Sequence, residues 1–424
     1  MKIKPKKLEG VISVPADKSI THRSVMLASL ANSKSQVNNY LPSEDCINTM
    51  HCFRALGAEI SVNENSLTIT GAGLRNLKKP ATELYAGNSG TTARLMSGIL
   101  AGQNFASTIT GDESLSVRPM KRVIEPLSLM GAEFEHKNFC LPMTINGKAP
   151  LKAIEYKSPK ASAQVKSAVL FAGLFANGAT VFEEPAKSRD HTERMLNASG
   201  AKVEVYGNKV TVHPCEKLES LNITVPGDIS SAAFFITAGL IFPNANITIQ
   251  SVGVNPTRDG IIEVYKNMGA DIKLENERTV SGEPVADISI VTSQLKGIEI
   301  GGEIIPRLID ELPIIALAAT QAKGITKVFG AGELRVKETD RIKAVYLALS
   351  KMGADITETE DGFIINGQAG ALKGANVSSF GDHRIAMMAA VAGLITDGEV
   401  EIDDTACVAV SFPNFFEVIK SLCR

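Results

Sequence analysis

RDHTERMLNASGAKVEV, Arg189–Val205, is the stretch that decides the fold. Its first part has the apolar spacing of an amphipathic helix. The helix closes at Gly200, where glycine suits the left-handed backbone that ends helices. The alternating run after it reads as a strand. The same phrase recurs along the chain as LGAEISV at Gly57, MGAEFEH at Gly131, MGADIKL at Gly269 and MGADITE at Gly353. With Gly200 included, the glycines stand 74, 69, 69 and 84 residues apart.

A second series interleaves with the first. Six segments open on polar residues and continue as small, apolar helices, beginning at Asp17, Asn88, Ser162, Asp228, Asp310 and Asp382. Asp, Ser and Asn are residues that cap helix N-termini. Bodies that are apolar nearly all round belong inside a protein. Each repeat therefore holds one buried helix, one surface helix and several strands. A period near 70 is too long for a common solenoid and fits a duplicated α/β subdomain.

Ser13-Val-Pro-Ala-Asp17 and Thr224-Val-Pro-Gly-Asp228 are near copies 211 residues apart, about three repeats. Two halves of three units each are expected. The last surface helix, Phe412 to Leu422, stops where a further strand is due, and Ile3 to Val14 is expected to supply it. The domains are then 15–226, and 1–14 with 227–424. The alternative is a single open α/β array.

With 44% hydrophobic residues among 424, the chain can build two real cores. A formal net charge of −2 and 21% charged residues exclude bulk-charge binding to nucleic acid or to a membrane surface. There is no Trp for base stacking. The six cysteines fit no disulfide or zinc spacing, no apolar run reaches the roughly 18 residues of a spanning helix, and the start lacks a signal peptide's apolar run. A cytoplasmic protein with no bound metal is expected.

Cations gather at helix starts. Lys18 and Arg23, Arg94, Lys166, and His383 with Arg384 mark mouths of buried helices; Arg118, Arg189, Lys337 and Arg341 mark starts of surface helices. A cation there opposes the helix dipole. A set of them points to an external anion that compensates.

Nine short motifs then carry a resemblance over the whole chain, in order. They are ADKSITHR (Ala16–Arg23), AGNSGTTARL (Ala86–Leu95), SVRPM (Ser116–Met120), SAQVKS (Ser162–Ser167), SRDHTE (Ser188–Glu193), VPGDISSA (Val225–Ala232), RVKETDRI (Arg335–Ile342), GDHRIAM (Gly381–Met387) and SFPNFF (Ser411–Phe416). The set resembles the 5-enolpyruvylshikimate-3-phosphate synthase family. The resemblance implies two similar domains, each of three β-α-β-α-β-β units around buried parallel helices, an inverse α/β barrel. It implies transfer of the enolpyruvyl group of phosphoenolpyruvate to the 5-hydroxyl of shikimate 3-phosphate, without a cofactor, in aromatic amino-acid biosynthesis.

Carried over motif by motif, Lys18, Ser19, Arg23, Ser162, Gln164, Ser188 and Arg189 would hold shikimate 3-phosphate, with Asp310 and Lys337. Lys18, Gly90, Arg118, Gln164, Arg341 and Arg384 would hold phosphoenolpyruvate. Asp310 and Glu338 would be the acid/base pair, with Lys18 a second route for the proton. The chemistry asks for such groups. Two polyanions repel, arginine forks suit phosphate and carboxylate, and a carbon must gain a proton while a hydroxyl loses one. Asp310 read alone is equally a helix cap, and Glu338 a surface ion-pair partner.

The chain departs from the family pattern in three places. Val410 stands where many members have Lys, Leu95 where one group has Pro, and Ser-Ala-Gln-x-Lys where it has Ser-Ser-Gln. These features resemble the group less sensitive to glyphosate, while Gly90 keeps the small residue that admits it; glyphosate is an expected inhibitor ligand of open strength. A monomer is expected. One rival reading is the sister enzyme that uses UDP-N-acetylglucosamine, whose mobile loop carries a Cys; Gly111–Arg118 has none. The other is a non-catalytic anion-binding scaffold, which would not need Asp310 and Glu338 among the cations.

Overall fold

The computed structural model describes residues 5–424, and its chain resolves into two compact units. The first comprises Ala16–Val225 with Val280–Gly282. The second comprises the chain up to Pro15, Pro226–Thr279 and Glu283–Arg424. Each has its own continuous apolar core. The fold is α/β, built from the repeat that the sequence carries.

Three buried helices form the centre of the first unit: α1 (Lys18–Leu30), α2 (Gly90–Ala101) and α3 (Ala163–Gly173). They begin where capping side chains sit. Asp17 accepts from Ile20 N at 2.9 Å, Ser89 from Thr92 N at 3.1 Å and Ser162 from Val165 N at 3.4 Å. The second cap is thus Ser89 and not Asn88. Small residues let the helices approach closely. A Cβ on Gly98 of α2 would lie 2.0 Å from the carbonyl oxygen of Ala168 in α3, so only glycine fits there.

Three four-stranded sheets accompany these helices, all with one pattern. In the first, Asn222–Thr224 pairs parallel with Lys34–Asn38, which pairs antiparallel with Ser66–Thr70, which pairs antiparallel with Glu59–Asn63. The second and third repeat this order, starting from Leu84–Tyr85 and Glu155–Lys157. Asn222–Thr224 comes from the end of the third repeat, so the third repeat is tied back to the first. The glycines that announced the repeat have positive φ throughout: +102° at Gly57 and Gly131, +81° at Gly200, +93° at Gly269 and +88° at Gly353.

The second unit is built the same way around α4 (Ile229–Ile241), α5 (Leu312–Thr320) and α6 (His383–Ala392). Asp228 and Asp382 cap α4 and α6. Asp310 does not cap α5. That helix starts two residues later, with Glu311 at its cap position and no side-chain bond to the helix. The reason lies in Glu311, which is fully buried and accepts from the Ser230 hydroxyl of α4. Glu338 likewise does not open its surface helix, Arg341–Lys351; Asp340 does, accepting from Lys343 N at 3.1 Å.

The sixth repeat is short. Its sheet has only Asn376–Val377 and Glu401–Ile402 among the described residues. Within the segment expected to supply the missing strand, Leu8–Ser13 forms one. It pairs parallel with Ala245–Gly253 in the fourth repeat's sheet. That is the position Asn222–Thr224 holds in the first unit. Leu8 still meets Cys423 by an antiparallel bridge at the end of Phe415–Leu422. Of the segment Ile3–Val14, Ile3 and Lys4 lie outside the described residues. The SFPNFF motif is anchored by aromatic packing: Phe412 and Phe415 lie 5.4 Å apart, centroid to centroid, both lie 5.6–5.7 Å from Phe235 of α4, and Phe415 lies 5.9 Å from Phe234. No helix among the described residues is long and apolar enough to cross a membrane.

Candidate active site

In the first unit, the N-terminal ends of α1, α2 and α3 carry most of the residues singled out from the sequence. Lys18 is the first residue of α1, with Nζ 3.1 Å from Asp45 Oδ2. Arg23, one turn further, is buried. Its Nε donates to Thr192 Oγ1 at 2.7 Å, its Nη2 to Ser167 Oγ at 2.7 Å and its Nη1 to the Ser19 carbonyl at 3.0 Å. Thr192 and Ser167 are themselves bonded at 2.6 Å. Arg189 Nη1 lies 3.5 Å from Ser19 Oγ. The structure thus brings Arg189 to Ser19 and Arg23 at the start of α1.

A second group forms at α2 and α3. Gln164 accepts from Arg94 Nη1 at 2.9 Å and donates to Thr91 Oγ1 at 3.2 Å. Arg118 donates to the Asn88 carbonyl at 3.3 Å, to the Asn88 side chain and to Ser114 Oγ at 2.9 Å. Asn88 in turn donates to Asp112 at 2.6 Å. Gly90 lies against the guanidinium of Arg94. A Cβ there would lie 2.4 Å from Arg94 Nη1 and 3.8 Å from Arg118 Nη1.

Lys166 departs from the expectation of an anion-compensated cation. It is fully buried and paired with Glu184 and Glu193, each at 2.8 Å. Burial alone would weaken its hold on a proton, but the charges of Glu193 and Glu184 outweigh this and push its pKa up. Its compensating anions are the protein's own.

In the second unit the centre is Arg341, whose side chain is 1% exposed. Its Nε donates to Asp382 Oδ2 at 2.7 Å, its Nη2 to Glu338 Oε2 at 2.6 Å and its Nη1 to Asp310 Oδ1 at 3.2 Å. Lys337 Nζ lies 3.3 Å from the same Asp310 oxygen. Arg384 donates to the Asp310 carbonyl at 3.1 Å. Burial would lower the pKa of Arg341, but Asp382, Glu338 and Asp310 raise it, so it stays a fixed cation. Asp310, Lys337, Glu338, Arg341 and Arg384 are therefore one constellation, able to bind an anion and to move a proton.

Sequence reading missed several members. Asp382 was legible only as a cap, yet it also pairs with Arg341. Asn88 was visible inside its motif but not as the residue that holds Arg118. Asp45 holds Lys18, and Thr192 and Ser167 hold Arg23, from distant parts of the chain; the last two were visible inside their motifs, but not in that role.

Comparison with known proteins gives one consistent result. A family model described as EPSP synthase (3-phosphoshikimate 1-carboxyvinyltransferase) matches residues 3–419. A 3-phosphoshikimate 1-carboxyvinyltransferase of Endomicrobium trichonymphae is 58% identical over 431 residues, covering 100% of both chains. One of Bacillus cereus (strain B4264) is 53% identical, over 98% of this chain and 97% of its own. A solved EPSP synthase structure from Acinetobacter baumannii superposes with a TM-score of 0.88 at 46% identity, over 99% of this chain and 97% of that one. The enolpyruvyl transferase NikO from Streptomyces tendae shares the fold, with a TM-score of 0.80 at 15% identity over 99% and 96%.

Proposed function

This chain belongs to the EPSP synthase family, and from that membership we infer that it is a 3-phosphoshikimate 1-carboxyvinyltransferase. It transfers the enolpyruvyl group of phosphoenolpyruvate to the 5-hydroxyl of shikimate 3-phosphate by addition and elimination, releasing phosphate. In this reading Ser19, Arg23, Ser162, Gln164 and Arg189, with Lys18, hold shikimate 3-phosphate, and Asp310 and Lys337 contribute. Lys18, Gly90, Arg118, Gln164, Arg341 and Arg384 hold phosphoenolpyruvate. Ser188 belongs to the first group through the loop it anchors.

Asp310 takes the proton of the 5-hydroxyl. Glu338 or Lys18 delivers one to the methylene carbon of phosphoenolpyruvate as the 5-oxygen bonds to its C2; the tetrahedral adduct then breaks its bond to phosphate and gives back one proton of the new methyl group, which restores the double bond. The observation that carries the reading is the placement of Asp310. Its carboxylate meets Lys337 and Arg341, and the helix it was free to cap starts beyond it.

The first test is binding. By titration calorimetry, Arg23→Ala or Arg189→Ala should weaken shikimate 3-phosphate by roughly 1.5–3 kcal/mol, the scale of a lost charged hydrogen bond. Wild-type affinity in both variants would remove these arginines from the site.

A further inference from the structure

Behind Ser188 and Arg189 lies a buried charged cluster that the chemistry above does not use. Lys166 of α3 sits between Glu184 and Glu193, whose side chains are 1% and 4% exposed. Ser188 is held by this cluster at every polar atom it has. Its N–H donates to Glu184 Oε1 at 2.9 Å, its hydroxyl donates to Glu184 Oε2 at 2.6 Å, and its carbonyl accepts from Lys166 Nζ at 3.1 Å. A serine hydroxyl carries one proton. With that proton on Glu184, Ser188 has none to offer a phosphate oxygen. The next residue in the chain is Arg189.

The cluster also shares its elements with the partners of Arg23. Lys166 adjoins Ser167, and Glu193 adjoins Thr192, the two side chains that receive the Arg23 guanidinium. Buried ions of this kind add little net stability compared with apolar packing.

We propose that Glu184, together with Lys166, is a positioning residue for shikimate 3-phosphate: it clamps Ser188 and so fixes the backbone from which Arg189 reaches the anion. The proposal rests on the reading of Arg189 as a contact to that substrate.

Glu184→Gln tests it in the full chain. Ser188 presents two donors to two carboxylate oxygens, and glutamine has only one oxygen to receive them. The KM for shikimate 3-phosphate should rise roughly tenfold, the scale of a lost charge-assisted hydrogen bond. The kcat and the KM for phosphoenolpyruvate should stay within about threefold. In an Arg189→Ala background the same substitution should add less than about twofold, because residues acting as a unit are not additive. Ser188→Ala, which leaves all three charges in place, should behave as Glu184→Gln does and stands in for it if that variant fails to fold.

Two results count against the proposal and are distinguishable. If Arg189→Ala binds shikimate 3-phosphate normally, the assignment of Arg189 fails and the positioning role falls with it. If Arg189→Ala is weakened but the second substitution multiplies the loss in full, or kcat and both KM values shift together, Arg189 stands and the positioning role alone is overturned.

Discussion

Asp310 owes its surroundings to its neighbour. Glu311 turns inward to the Ser230 hydroxyl, Pro313 sits in the first turn of α5, and the helix begins at Leu312. Asp310 is left two residues ahead of the helix, facing Lys337 and Arg341. A helix cap and a base are hard to tell apart in sequence, because both are an aspartate ahead of an apolar run. What separates them here is contact with Arg341, 31 residues away in the chain. If Asp310 is the base, Asp310→Ala should cut kcat by about 10²–10⁴-fold, the usual scale of general acid–base catalysis. Affinity for shikimate 3-phosphate should change little. Single-turnover kinetics read the chemical step directly, and near-normal chemistry in the variant would leave Asp310 a charge partner for Arg341 and nothing more.

At the level of the elements, the buried helices were the most legible part of the chain, since small apolar residues behind a polar cap have few other uses. What holds the helices to one another was not legible. His22 of α1 bonds Thr49 Oγ1 at 2.7 Å, and Thr49 bonds Thr92 of α2 at 2.7 Å. This chain crosses from α1 through Glu44–Ala55 to α2. His22 Nε2 is buried with no hydrogen-bond partner among the described residues, so a charged ring would bury an unmatched N–H. Burial first, then Lys18 and Arg23, hold its pKa well below the usual histidine value.

The sign of the effect on stability follows. Between the unfolded and the folded pKa, the unfolded chain binds the extra proton, so stability falls as pH falls below about 6.5, by at most about 1.4 kcal/mol per pH unit. Denaturant melts at pH 7.5 to 5 should show this slope, and His22→Gln should lose it. Parallel curves for the two proteins would mean that His22 does not titrate on unfolding. The same gap applies to Lys166. Its place near a helix mouth could be read from the sequence, but Glu184 and Glu193 approach it only through the fold.

At the scale of the whole molecule, the duplication was readable because five repeats close a surface helix on a left-handed glycine and five of the six buried helices open on a capping Asp or Ser. The irregular sixth repeat was readable only in part. A missing strand could be counted, yet its substitute joins the fourth repeat's sheet, because the parallel edge beside Ala245–Gly253 is the place left open there. The first unit takes only Val280–Gly282 from distant chain. Residues 16–225 form a continuous segment with their own core, and Asn222–Thr224 returns to Lys34–Asn38 to complete the first sheet. Expressed alone, this segment should unfold in one cooperative transition, as a domain does. It should also bind shikimate 3-phosphate in calorimetry. A segment with no cooperative melt would show that the core alone does not sustain the unit.

The activity itself is tested most directly by phosphate release from phosphoenolpyruvate, measured with shikimate 3-phosphate and, separately, with UDP-N-acetylglucosamine as acceptor. The expected result is release of one phosphate per acceptor consumed with shikimate 3-phosphate and none with the nucleotide sugar. Release with UDP-N-acetylglucosamine, or silence with shikimate 3-phosphate, would contradict the assignment.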